Sequence, residues 1–201
     1  MSAVEEVAAA IRAGEPAIVP TDTVYGLACT PYREGPVRRL SRLKRRPPGQ
    51  PIALLACDVD TLLECVPELR GRAAVLARAL LPGPYTLVLP NPARRFPWLA
   101  GSRPETIGVR VPAVSGAAAE LLARVGALAA TSANLHGGPD PGRLEDVPEE
   151  LRAACLALDV GELPGTASTV LDLTGLEPVV LREGAVPAAE ALARVRSAAA
   201  E

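Results

Sequence analysis

Short apolar runs limit what this chain can fold into. Ala17-Ile18-Val19, Ile52-Ala53-Leu54-Leu55-Ala56, Tyr85-Thr86-Leu87-Val88-Leu89 and Ala127-Leu128-Ala129-Ala130 each suit a buried strand and are too short for a helix. Thr106-Ile107-Gly108-Val109-Arg110-Val111-Pro112 adds a further strand, and residues 168–173 and 178–182 read as a hairpin across Thr174-Gly175. Amphipathic stretches lie between the runs. Val4, Val7, Ala8 and Ile11 recur at helical spacing ahead of Gly14. Further helices are predicted over about 36–44, from Asp58 or Asp60 to Val66, over 69–81, from Ser115 to Val125, from Pro148, and over 188–198. Strands alternating with helices predict one α/β domain over residues 1–201, with no repeat and no linker.

The formal charge of −2 and pI near 5.6 exclude a globally basic nucleic-acid binder but allow a local basic pocket. Four cysteines without CxxC spacing and one histidine assemble no Cys/His zinc site; buried reduced thiols are the expectation. Glu5, Glu6 and Arg12 interrupt the first apolar stretch, so no signal peptide is read there, and no stretch has the length of a membrane span. A cytoplasmic protein is expected. Of 21 basic residues only Lys44 is a lysine.

Chemistry concentrates where the strands end. Pro20 ends the first strand, and Thr21-Asp22-Thr23-Val24-Tyr25-Gly26 follows at a place where open sheets bind ligands. An ordinary turn explains this cluster equally well. Ala127–Ala130 repeats the pattern, ending in Thr131-Ser132-Ala133-Asn134. Arg38, Arg39 and Arg42 read as a solvated helix face, whereas Lys44-Arg45-Arg46 continue into the stiff Pro47-Pro48 loop. Arg110 interrupts an apolar run and should meet an anion or a carboxylate. Residues 91–103, with Phe96 and Trp98, read as a surface loop or flap.

No Gly-Lys Walker loop, GxGxxG or GxSxG is present, and a Ser-His-Asp triad would depend on His136 in a Gly/Pro-rich loop. What remains is a set of cations, Lys44, Arg46, Arg110 and Arg182, with Thr21, Thr23, Thr86, Ser132, Asn134 and Ser168. Such a set suits a polyphosphate together with a small zwitterion.

The ordered motifs Pro20-Thr21-Asp22-Thr23-Val24-Tyr25-Gly26-Leu27, Lys44-Arg45-Arg46-Pro47, Pro82-Gly83-Pro84-Tyr85-Thr86, Val109-Arg110-Val111-Pro112, Thr131-Ser132-Ala133-Asn134, Ser168-Thr169-Val170 and Arg182-Glu183-Gly184 resemble the YrdC-type threonylcarbamoyl-AMP synthase family, TsaC class. The resemblance spans about residues 3–186. It implies a twisted mixed sheet flanked by helices around a concave basic site. It also implies formation of threonylcarbamoyl-AMP and pyrophosphate from L-threonine, bicarbonate and ATP, for t6A modification of tRNA.

By that resemblance Lys44 and Arg46 hold phosphates, and Ser132 and Asn134 line the nucleotide and carbamate region. Thr21 and Ser168 lie near threonine, Thr86 and Arg182 near ATP, and Arg110 belongs to the site without a named partner. Mg²⁺ is implied through the triphosphate, as are downstream t6A-transfer proteins and possible tRNA contact. No general base is assigned. His136-Gly137 stands where relatives often carry Ser-Gly, and Gln50-Pro51 where many carry Asn-Pro. Two other readings stay open: a duplex RNA or tRNA binder using the basic stretch 33–46, and a carbamoyl-transfer domain of the same fold.

Overall fold

The structure, a computed structural model, describes residues 1–199. Those residues contain seven α-helices: α1 (Ala3–Ala13), α2 (Glu34–Leu43), α3 (Val59–Cys65), α4 (Arg72–Leu80), α5 (Gly116–Val125), α6 (Glu149–Ala154) and α7 (Ala188–Ala199). Nine strands form a single sheet: β1 (Ala17–Pro20), β2 (Tyr25–Cys29), β3 (Ala53–Ala56), β4 (Tyr85–Pro90), β5 (Thr106–Arg110), β6 (Ala127–Ser132), β7 (Leu156–Ala157), β8 (Thr169–Asp172) and β9 (Val179–Arg182). Their order is β7-β1-β2-β6-β3-β5-β4-β8-β9. β1 pairs with β7, β3 with β5 and β4 with β8 in parallel; the remaining neighbours are antiparallel, so the sheet is mixed.

The helix ends follow from local chemistry. Ser2 accepts from the Glu5 N–H while Glu5 accepts from the Ser2 N–H, a capping box, and Gly14 takes the left-handed conformation that closes α1. Asp58 caps α3 by accepting from the Thr61 N–H at 2.6 Å. Ser115 occupies the cap position of α5 without making that bond.

Four expectations are corrected. The strand-to-turn reading of 20–26 missed β2: Tyr25–Cys29 is buried at every position, so it shows no alternation to read. The two-residue β7 was also missed. The loop over 91–103 is less superficial than expected, since Leu99 is fully buried and Phe96 and Trp98 pack on the core. The cysteines are free, but only Cys29 is fully buried.

Strand parity sorts the sheet into two faces. Ile18, Tyr25, Leu27, Leu54, Leu87, Val109 and Leu171 point to the larger core, which buries apolar residues of α2, α3, α4 and α7. The opposite face is divided. α1 and α5 cover Ala17, Val19, Ala28, Leu128 and Leu55. Beyond them one row of residues stays small, with Ala130 opposite Ala53 and the next strand contributing Gly108. Small side chains there keep a hollow open over the sheet.

Gly184 has a packing role that the sequence motif only hinted at. A Cβ on it would run into the backbone of Ala167 and Ser168, with the Ser168 carbonyl atoms 2.6 Å away. That contact seats the start of β8 against the end of β9. Gly184→Ala is expected to lower stability by ~1–3 kcal/mol, the scale of overpacking, as read from urea denaturation midpoints; an unchanged midpoint would refute the close-approach role.

Candidate active site

The hollow is a cavity of about 380 Å³, within the size range of small-ligand sites. Its floor comes from residues within strands, Gly26, Ala53, Leu55, Val88, Gly108, Ala130 and Val170. It therefore lies across a sheet face, and not only beyond strand ends as the sequence pattern suggested. Its walls bring together Thr21, Arg46, Thr86, Arg110, Ser132, Ser168 and Arg182. Four arginines line it, Arg103 being the fourth, and no carboxylate is among the lining residues.

Arg110 meets the carboxylate that its burial demanded. Nη2 donates to Asp22 Oδ1 and to Thr23 Oγ1, the latter at 2.8 Å, and Asp22 Oδ2 also accepts from the Ala113 N–H at 2.9 Å. Both side chains of the ion pair are 8% exposed. Burial pushes the Arg110 pKa down and Asp22 opposes that shift. Nε of Arg110 is buried without a hydrogen-bond partner among the described residues. Nη1 likewise makes no hydrogen bond among the described residues, so part of the guanidinium's donor capacity is unmet although Nη2 is engaged.

Arg46 donates through Nε to Gln50 Oε1 (2.9 Å), through Nη1 to Thr131 Oγ1 (3.2 Å) and through Nη2 to the Pro51 carbonyl (2.7 Å). Those bonds fix the fork and leave two of its five N–H groups. Arg182 grips the Ser168 carbonyl through Nε (3.2 Å) and Nη2 (2.8 Å). Thr86 and Ser168 share a hydrogen bond between hydroxyls at 2.8 Å. The Thr21 hydroxyl is committed locally, donating to the Val24 carbonyl at 2.7 Å and accepting from the Val24 N–H. Thr23 is fully buried and Tyr25 points into the core, its hydroxyl donating to Asp159 at 2.9 Å or to the Gly161 carbonyl at 2.8 Å.

Lys44 and Asn134 are not on the cavity wall. Lys44 is 3% exposed, and its Nζ donates to the Ser132 carbonyl (2.5 Å), the Asn134 carbonyl (2.7 Å) and Asn134 Oδ1 (2.6 Å). Asn134 Oδ1 also accepts from the Ser132 hydroxyl at 2.8 Å, and Asn134 Nδ2 donates to the Gly138 carbonyl at 2.7 Å. His136, the one histidine, contributes its backbone N–H to the Lys44 carbonyl.

Sequence reasoning missed Asp22 as the partner of Arg110, although it stands in the opening motif. It also missed Arg103, which donates to Asp172 at 2.8 Å across the rim. One arginine among twenty in a proline-broken loop carried no distinguishing signal.

Burial, then repulsion by Arg46, pulls the Lys44 pKa down to about 8, against an opposing attraction from Asp140. The unfolded chain therefore holds this proton more tightly, and the contribution of Lys44 to stability rises with pH from about 8 toward 10.5. Lys44→Met is expected to flatten that rise. Thermal midpoints of both proteins between pH 7 and 10 check it, and parallel curves would contradict it.

Comparison with known proteins agrees with the geometry. A Sua5/YciO/YrdC family profile, described as "Telomere recombination", matches residues 9–184. A threonylcarbamoyl-AMP synthase of Stenotrophomonas maltophilia is 37% identical over 87% of this chain and 94% of its own length. The synthase of Pyrococcus abyssi is 36% identical over 90% of this chain, which spans about half of that relative, 53%. Among solved structures, P. abyssi Sua5 complexed with L-threonine superposes with a TM-score of 0.84 at 35% identity, covering 93% of this chain and 55% of that one. Escherichia coli YciO gives a TM-score of 0.79 at 28% identity, covering 94% and 92%. With the family profile matching most of its length and relatives 36–37% identical over about nine tenths of it, the chain is a member of the Sua5/YciO/YrdC family.

Proposed function

We propose that this chain is a threonylcarbamoyl-AMP synthase, a nucleotidyltransferase that converts L-threonine, bicarbonate and ATP into threonylcarbamoyl-AMP and pyrophosphate in the cytoplasm. The product would serve t6A-transfer proteins acting on position 37 of tRNA. The observation that carries this reading is the convergence of Arg46, Arg110 and Arg182, each with uncommitted donors, on a cavity lined by no carboxylate. Such a surface favours a polyanion and repels nothing on it. The threonine specificity rests on the likeness to the threonylcarbamoyl-AMP synthases and to P. abyssi Sua5 complexed with L-threonine.

The chemistry suits the site. The threonine amine attacks the carbon of bicarbonate, releasing water and leaving a carbamate. A carbamate oxygen then forms a bond to the α-phosphorus as the bond to pyrophosphate breaks. Positioning and charge neutralisation dominate such a transfer, and the arginine forks can supply both. Among the described residues no group of three or more His, Cys, Asp or Glu could hold a metal. Mg²⁺ would therefore be carried by the triphosphate oxygens, as this hard ion prefers, where it would offset phosphate charge.

The duplex-RNA reading loses ground along residues 33–46. Arg38 pairs with Glu34, Arg39 with Glu15 and Arg45 with Glu150, so three cations of the basic stretch are neutralised within the chain. No helix among the described residues is long and apolar enough to cross a membrane.

Pyrophosphate release is expected to need threonine and bicarbonate together; equal turnover without bicarbonate would remove the carbamate mechanism. Serine should be poorer by the ~1–3 kcal/mol of one methyl group. His136→Ala should keep most activity, because that residue is exposed and no cavity-lining group. A loss beyond about a hundredfold, the scale of general-base removal, would overturn this.

A further inference from the structure

Four cations were expected to share the polyanion, but their hydrogen bonds divide them. Arg46, Arg110 and Arg182 each keep N–H groups without an acceptor among the described residues. A lysine ammonium has three donors, and Lys44 directs all three into the chain between residues 132 and 134. None is left for a phosphate. The same ammonium fixes which way the neighbouring hydroxyl points. Asn134 Nδ2 donates to the Gly138 carbonyl, so the atom facing Lys44 is the amide oxygen. With Oδ1 an acceptor, the Ser132 hydroxyl donates to it at 2.8 Å, and its lone pairs are turned outward. Ser132 lines the cavity.

We propose that Lys44 is a positioning residue: its ammonium locks Asn134 so that the Ser132 hydroxyl faces the cavity as a hydrogen-bond acceptor, and it does not itself touch the polyphosphate. An acceptor at that place repels phosphate oxygens and receives a donor. Among the reactants of the proposed synthesis, the amine of the amino acid is the donor adjacent to the bond being made. Lys44 then acts on the orientation of the amine and leaves ATP affinity to the arginines. This inference rests on the reading of the cavity as the site of ATP and an amino acid.

The single lysine makes the test direct. Protein labelled with ¹⁵N-lysine gives one Nζ resonance, from Lys44, and at pH 6.5 it should show slowly exchanging ammonium protons in the free protein. Saturating ATP and Mg²⁺ should leave it nearly unmoved. In parallel, Lys44→Met should bind ATP within about threefold of the parent by calorimetry while its kcat falls by about tenfold or more, and Ser132→Ala should share that pattern. Bulk-rate exchange of the ammonium protons in the free protein overturns the inference whether or not ATP binds. So does a large ATP-induced shift of Nζ, or an ATP affinity at least tenfold weaker in Lys44→Met. If the parent protein binds no ATP, the functional reading fails separately. Should Lys44→Met not fold, the resonance of the parent still decides.

Discussion

The site depends on the buried ion pair between Asp22 and Arg110. Asp22 comes from the turn between β1 and β2, Arg110 from the end of β5, and the sheet order puts β6 and β3 between them. The pair therefore spans the hollow and fixes its two sides relative to each other. Neither charge could be left alone there: removing one partner of a buried pair typically costs ~3–5 kcal/mol. Asp22 takes up Nη2 of the guanidinium together with Thr23 and also anchors the Ala113 N–H, which leaves Nε and Nη1 held in place without an acceptor among the described residues. A cation held with part of its hydrogen-bonding capacity unmet is prepared for an anionic ligand before that ligand arrives.

The rest of the cavity can be understood as support for this arrangement. Ala130, Ala53 and Gly108 keep the floor low, while α1 and α5 cover the neighbouring part of the same face and exclude water from it. Arg46 is stiffened by three bonds before it meets a ligand, and Ser168 is held by Arg182 on one side and Thr86 on the other. Preorganised donors lose little conformational entropy on binding. Lys44 is the costlier component, since its charge is buried against the repulsion of Arg46. A buried charge retained at such a cost points to orientation and not to stability as its role.

Much of this was legible in the sequence, and the failures have physical causes. Strands β1, β3, β4, β5, β6, β8 and β9 were readable as apolar runs bounded by turn residues. β2 was not, because a central strand buried on both faces carries no period and begins here with a Tyr-Gly pair that resembles a turn. The residues assembled on the cavity wall were recognisable from strand ends and motif order. The direction each side chain takes was not. Lys44 and Arg46 stand two positions apart in one loop, yet the first turns inward to residues 132–134 and the second toward the cavity. That difference is set by contacts almost ninety positions away in the chain, which no local pattern records.

The burial of Lys44 also bears on how this surface reacts. Acylating reagents, amine-directed cross-linkers and the enzymes that attach acetyl groups or small proteins to lysine all require an accessible ε-amine. This chain has one, and it is enclosed. Its many arginines hold the surface charge with a group that such reagents leave untouched, so the ε-amine becomes a reporter of opening: it reacts only when the segment around residues 132–134 lets go.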